Sequence, residues 1–207
     1  MGTFTGANLI DELSFRLRDP TNVAYPRVVS LNILNRVQSA VNIRLGLVHG
    51  SATFTTTTSA FYSIAAIAAD IAYPVQLFDE SQRELDQIDF DRLTQQDPKW
   101  SRLRGIRPEV YATLGREGLI VTPIPRRATT LTLRYVKHPT TLTDGAPAWD
   151  LPDEHRSLVT DLSEALLMLR ARDFAAIQET LTRVTPKFGI EDIVASLRKQ
   201  TVGEHLT

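Results

Sequence analysis

The sequence predicts an α+β fold: N- and C-terminal helices forming a helical bundle, with a small antiparallel β domain inserted between them. Apolar residues recur every three to four positions toward both ends of the chain, the period of a helix that buries one face. In the middle, TTLTLRY alternates apolar and polar residues and SATFTTTTS is rich in β-branched threonine, a period and composition that suit strands. Glycines and prolines punctuate the transitions. The expected organisation is residues 1–49 as N-terminal helices, 50–149 as the β insertion, 150–185 as C-terminal helices and 186–207 as a tail.

Leu9, Ile10, Leu13 and Leu17 set the first helix, and Asp19-Pro20-Thr21-Asn22 stops it. A longer helix starts at Pro26, which suits a first turn because its missing N–H would be unpaired there anyway. It is expected to run to about Val48, with His49-Gly50 ending it. This helix carries two apolar stripes, Leu31-Leu34-Val37-Val41-Leu45-Val48 and Val29-Ile33-Ala40-Ile43-Leu47. A surface helix of a monomer needs one such stripe. Two imply packing on two sides, either as a central core helix or with one stripe against a neighbouring copy.

In the middle zone, AFYSI supplies a further strand and SQRELDQIDFDRLTQQDPKW a short helix and loop. Residues 107–125, RPEVYATLGREGLIVTPIP, read as a hairpin turning at Gly115–Gly118. Pro123 and Pro125 cannot donate to a sheet ladder, so the strand stops or lies at an edge there. The last helical zone opens near Pro152 with Asp153 and Glu154, acids that suit the positive end of a helix dipole. Leu158, Leu162, Ala165, Leu166 and Leu169 form its apolar face. Phe174, Ile177, Leu181, Val184 and Phe188 make a further stripe, and IEDIVASLRKQ adds a short amphipathic turn or two before a polar end.

Composition excludes several classes of function. The chain has 207 residues, a formal net charge of -1 and no cysteine, so disulfides, thiolate metal sites and cysteine nucleophiles are ruled out. Acids and bases are interspersed, without the basic footprint of a chain that grips phosphates. The first residues, MGTFTGANLIDELSF, lack the basic start and apolar run of a secretory signal. The longest apolar stretch, SIAAIAADIAYPV, is broken by Asp70 and Pro74 and is too short to span a bilayer. A soluble protein with no membrane partner is expected.

The residues offer little chemistry. His49, His138, His155 and His205 do not form a metal-binding pattern, and His49 is expected at a helix end near the last carbonyls. Asp79, Glu80, Glu84, Asp86, Asp89 and Asp91 cluster in sequence. Opposed catalytic carboxyls need a gap of roughly 5–10 Å across a sugar, and neighbours on one segment read more simply as a solvated acidic face. No phosphate-binding glycine loop and no nucleophile elbow occurs. No catalytic residue, cofactor or metal is expected. Arg126 and Arg127, with Arg102, Arg104, Arg107 and Arg116 nearby in sequence, form the one notable basic group. Acidic residues surround it, so a protein partner is favoured over nucleic acid.

The order of these features resembles the head-to-tail adaptor (connector) proteins of tailed bacteriophages. LIDELSFRLRD followed by LNILNRVQSAVNIRLG matches their opening pair of helices. Asp97-Pro98-x-Trp100, Gly105-x-x-Pro108-x-x-Tyr111, the Gly115–Gly118 turn, Leu119-x-Val121-x-Pro123-x-Pro125, Leu131-x-Leu133-x-Tyr135 and Pro139 match their middle. LPDEHRSLVTDLSEALLMLRARD matches their following helix. The likeness runs from about residue 8 to 185.

The resemblance implies a structural virion protein without catalysis. It would form a homo-oligomeric ring, usually a dodecamer, docked under the portal protein at the head–tail junction. The ring would extend the channel, pass double-stranded DNA without binding it specifically, and offer a platform to a downstream tail or nozzle protein. Synthesis in the host cytoplasm is implied, with the C-terminal segment engaging the portal. Candidate interface residues are Leu34, Val41, Leu45, Leu166 and Ile177 on the helical stripes, Arg126 and Arg127 in the basic group, and Ile193 and Leu197 in the tail. A tail-completion or stopper protein of the same stack is the near alternative. A tail-associated peptidoglycan hydrolase using the Asp79–Asp91 acids, or a DNA-binding module using the arginines, are alternatives of other classes.

Overall fold

The computed structural model describes residues 4–145 and 149–171. In chain order its elements are α1 (Gly6–Arg16), α2 (Arg27–Leu45), β1 (His49–Thr55), β2 (Phe61–Ser63), α3 (Ile64–Ile67), β3 (Ile71–Phe78), β4 (Asp86–Gln87) and α4 (Phe90–Gln96). Then follow β5 (Arg104–Gly105), β6 (Val110–Leu114), β7 (Gly118–Thr122), β8 (Ile124–Pro125), β9 (Thr130–Lys137) and α5 (Arg156–Arg170). The fold is α+β, in two compact units. One comprises the described residues of Met1–Leu47 and Pro139–Thr207, the other Val48–His138.

In the first unit α1, α2 and α5 pack on one another. Thr5 starts α1 with a reciprocal cap, its Oγ1 accepting from the Asn8 N–H (3.2 Å) while Asn8 Oδ1 accepts from the Thr5 N–H (3.0 Å). Leu9, Ile10 and Leu13 are buried, and so are Ile33, Leu34, Val37 and Val41 of α2. The second stripe of α2 is less covered: Val29, Ala40 and Ile43 are half-buried. The helix also ends earlier than its sequence predicts. Gly46 adopts a left-handed conformation (φ 62°) and donates its N–H to the Asn42 carbonyl at 2.7 Å, a stop that glycine makes without steric penalty. His49, expected at the helix end, instead opens β1.

Three polar residues of α2 are buried with the apolar ones: Ser30, Gln38 and Asn42. Two amides have visible work. Asn35 donates to the Leu142 carbonyl (3.1 Å) and accepts from the Leu142 N–H (2.7 Å), as a neighbouring strand would. Gln38 donates to the Thr140 carbonyl at 2.8 Å. The Gly6 N–H reaches the Thr143 carbonyl (3.1 Å), and Asp150 accepts from the Thr140 N–H (2.7 Å). The extended segment Thr140–Thr143 is thereby held by side chains and a helix start, without a sheet.

The loop between α1 and α2 is built on Asp19. Its carboxylate accepts the N–H groups of Tyr25 (2.9 Å) and Val23 (3.1 Å). The Tyr25 bond does most to hold this carboxyl below the usual carboxylate range; burial opposes the shift and the Val23 bond adds to it.

The second unit contains three sheets: β1-β9-β3, β2-β7-β6-β4 and the pair β5-β8. The expectation of a purely antiparallel insertion is corrected here, because β4 runs parallel to β6 and β5 parallel to β8. Both parallel pairs are two residues long and join segments distant in sequence, which no local pattern announces. Ile71 and Leu77 of β3, Tyr111 of β6, Leu119 and Val121 of β7, and Leu131, Leu133 and Tyr135 of β9 share one core. Successive strand residues point to opposite faces, so Ala112 and Ile120 meet Leu93 of α4 on the other side of the β6–β7 hairpin. That hairpin turns where the sequence places it, with Leu114 opposite Gly118 and Gly115 at φ 58°. The run TPIP does not continue it. β7 ends at Thr122, the Thr122–Pro123 peptide is cis, and Ile124–Pro125 pairs elsewhere.

Two outcomes follow from these contacts. Asn35→Ala leaves both backbone groups of the buried Leu142 without their protein partners, and should lower unfolding stability by about 1–3 kcal/mol. Asn35→Asp, which keeps the acceptor and loses the donor, should fall between; urea titration measures both. For Asp19, a depressed native pKa means the stabilisation is full above the unfolded pKa near ~4 and fades as pH drops through the native value. The melting temperature of Asp19→Ala should therefore lie below that of the native chain at pH 7, and the gap should narrow as the pH is lowered below about 4.

Candidate interaction surfaces

The acids that cluster in sequence turn out to serve the backbone. Asp79, buried, accepts from the N–H groups of Ser81 (2.8 Å) and Arg83 (2.9 Å) and closes the turn after β3. Asp89 caps α4 by accepting from the Asp91 N–H at 2.8 Å, and Asp97 accepts from the Lys99 N–H at 2.9 Å. These are the short side-chain-to-backbone bonds that aspartate favours at caps and turns. Among the described residues no group of histidines and carboxylates is arranged to hold a metal. His49 and His138 are exposed.

Three arginines of the first unit are used internally. Arg16 pairs with Glu12 (2.7 Å) and Asp161, Arg27 bridges Asp11 (2.8 Å) and Asp144 (2.7 Å), and Arg156 bonds Glu12 and stacks over Phe4. What this unit presents outward is apolar at one corner of its sequence: Phe15, Val23 and Val28 are 83%, 78% and 70% exposed.

The second unit has the opposite habit. Residues 98–127 hold seven lysines and arginines against two carboxylates, and residues 79–97 hold seven carboxylates against two arginines. Arg126 and Arg127 line a groove of about 470 Å³ together with Ile106, Arg107, Ala128, Thr129 and Glu80. The parallel β5–β8 pair creates it. Parallel strands leave their pairing from the same end, so Ile106-Arg107 and Arg126-Arg127 emerge side by side although about 20 residues separate them. The Arg126 N–H donates to the Gly105 carbonyl at 3.0 Å and the Ile124 N–H to the Leu103 carbonyl at 2.8 Å, fixing the register. Gly105 permits the approach: a Cβ there would lie 2.5 Å from the Pro123 ring. Ile106, a large aliphatic residue amid cations, is 82% exposed.

The sheet edges also differ. β3 is blunted by Pro74 and by two breaks of register, devices that discourage further pairing. β1 pairs with β9 in unbroken register and carries no formal charge and no proline.

The predicted interface residues fall in different places. Arg126 and Arg127 lie together in the groove. Leu34 and Val41 are wholly buried within the chain and belong to the core of the first unit. Leu45, the last residue of α2, is 40% exposed, and Leu166 is half-buried, with Leu167 taking the inner position on α5. Ile177, Ile193 and Leu197, like His205, lie outside the described residues. Sequence reasoning missed Ile106 and Gly105 as members of the arginine surface. The Gly105-x-x-Pro108 spacing marked the place but not the parallel bridge that gives it meaning.

A family model described as SU10 adaptor protein matches residues 4–188 of the chain. No curated protein matches it.

Gly105→Ala tests the construction of the groove. The added methyl meets a rigid ring with no flexible end to move, and overpacking of this kind costs about 1–3 kcal/mol. Thermal unfolding should show the loss, whereas Gly115→Ala, with nothing near its Cβ position, would be strained only through its positive φ.

Proposed function

The chain belongs to the SU10 adaptor protein family, a family of tailed-phage adaptors that are structural proteins and not enzymes, and from that premise we propose that it forms a ring under the portal, extends the DNA channel and links capsid to tail. A phage adaptor is a virion component that works by oligomerising and by contacting portal and tail proteins. The observation that carries the reading is the extent of the family match, which takes in both compact units.

Identical subunits closing a ring need two different, complementary patches on each copy. The unit Val48–His138 is proposed as the inserted domain, which begins and ends earlier than the 50–149 expected from sequence, and residues 186–207, which lie outside the described residues, as the portal-docking tail, with twelve copies in the ring on the family's usual pattern. Leu45, exposed at the end of α2, is proposed as part of one patch. The net charge of -1 suits a channel that DNA must traverse without being held. Among the described residues no helix is long and apolar enough to cross a membrane.

Native mass spectrometry of the protein, alone and mixed with a portal ring, tests the reading. Several copies should join each portal ring. A chain that stays monomeric and ignores every portal offered removes the adaptor role. Leu45→Asp should weaken joining by about tenfold or more, equivalent to at least ~1.4 kcal/mol, because it sets an unpaired charge in a buried contact; its unfolding midpoint should change little.

A further inference from the structure

We propose that the groove lined by Ile106, Arg107, Arg126 and Arg127 seats the acidic segment Glu84–Asp91 of a second copy of this chain. The inference deepens the adaptor reading by naming a contact between copies, and it rests on that reading only for the second copy's presence.

The first ground is that these arginines are unspent. Arg16, Arg27 and Arg156 of the first unit all have carboxylate partners. Arg107, Arg126 and Arg127 have none among the described residues, and neither have Arg102 and Arg104. Several guanidinium groups held close together repel one another unless anions are brought between them.

The second ground is charge complementarity within one chain. The excess of carboxylates over residues 79–97 mirrors the excess of cations over residues 98–127. Glu84 and Asp86 are exposed, two positions apart along extended chain, and so share a face. Within one chain the acidic stretch contributes Glu80 to the groove lining, yet no ion pair joins that stretch to Arg107, Arg126 or Arg127 among the described residues. Two copies can bring them together.

The third ground is Ile106. Exposed charge pairs contribute little singly, and a contact between proteins gains from an apolar residue that is covered when the pairs form. Ile106 stands among the arginines at 82% exposure. Duplex DNA fits this surface less well. The groove is short and carries Ile106 at its centre of charge, whereas a duplex offers a long run of phosphates and no apolar group for Ile106 to cover.

Two charge reversals test the contact. Arg126→Glu with Arg127→Glu makes the groove acidic, and Glu84→Lys with Asp86→Lys makes the segment basic; all four positions are exposed, and thermal melts check that folding is retained. Each double variant alone should lose association between copies by at least about tenfold, and an equal mixture should regain it as alternating copies. Because the chain has no cysteine, Arg127→Cys and Asp86→Cys together provide a disulfide trap for contacts too brief for mass spectrometry. Cross-linked copies should appear on oxidation and diminish in high salt. Reversals that assemble like the native chain, a mixture that fails to recover, or cysteines that do not cross-link would each overturn the proposal. Copies that join a portal without trapping reject the groove and leave the adaptor role intact; copies that trap but ignore every portal do the reverse. Loss of salt-dependent duplex DNA binding in Arg126→Glu/Arg127→Glu, with assembly unchanged, would reassign the groove to nucleic acid.

Discussion

Backbone amides and carbonyls taken out of water need partners, and many elements of this chain are too short to provide them. β4, β5 and β8 have two residues each, and Thr140–Thr143 runs extended with no strand beside it. Side chains meet the demand instead. Asn35 takes both polar groups of Leu142, Gln38 takes the Thr140 carbonyl, and Asp19, Asp79, Asp89 and Asp97 collect the N–H groups of the turns they begin. In the two-residue pairs the backbone still does this work. Arg126 stands beside Arg107 because two backbone bonds, from Arg126 to Gly105 and from Ile124 to Leu103, set the β5–β8 register.

The same constraint separates what could be read from the sequence from what could not. Helices α1, α2 and α5 and the β6–β7 hairpin are local: their periodicity, caps and turn glycine lie within a few residues of one another. β9 was legible too, since Leu131, Leu133 and Tyr135 alternate and all three enter the core. The parallel bridges were not, because they depend on segments that meet only after folding. The sequence of α2 predicts a helix one turn longer than the one formed because Leu47 and Val48 continue its apolar rhythm, while the stop comes from Gly46. Its two stripes were real as a pattern. Burial draws on members of both, Leu34 and Val41 from one and Ile33 from the other, so the division into a core stripe and a contact stripe does not follow the helix.

For the candidate surface the legible part was composition, and the missing part was partnership. Sequence shows a run of acids and a run of arginines, and a solvated face is the simplest account of either. The acids divide on inspection of the fold: Asp79, Asp89 and Asp97 serve the backbone, whereas Glu84 and Asp86 have exposed carboxylates. The arginines divide too: Arg16, Arg27 and Arg156 of the first unit are paired, and those in the groove of the second are not. Counting charges cannot make that distinction, because it lies in which carboxylate each guanidinium reaches.

A net charge of -1 conceals this separation, and the combination has a physical consequence for a protein that works as many copies. Copies with a large net charge repel one another at every approach, and the repulsion grows with each subunit added. Near neutrality removes that barrier without selecting an orientation. Opposite excesses on two stretches of one unit supply the orientation, since like patches brought together are penalised and unlike ones favoured. The edges of the first sheet impose a similar asymmetry: Pro74 and the broken register blunt β3, while β1 remains regular and uncharged. A surface of this kind restricts the ways in which identical copies can meet, and a ring requires that restriction as much as it requires attraction.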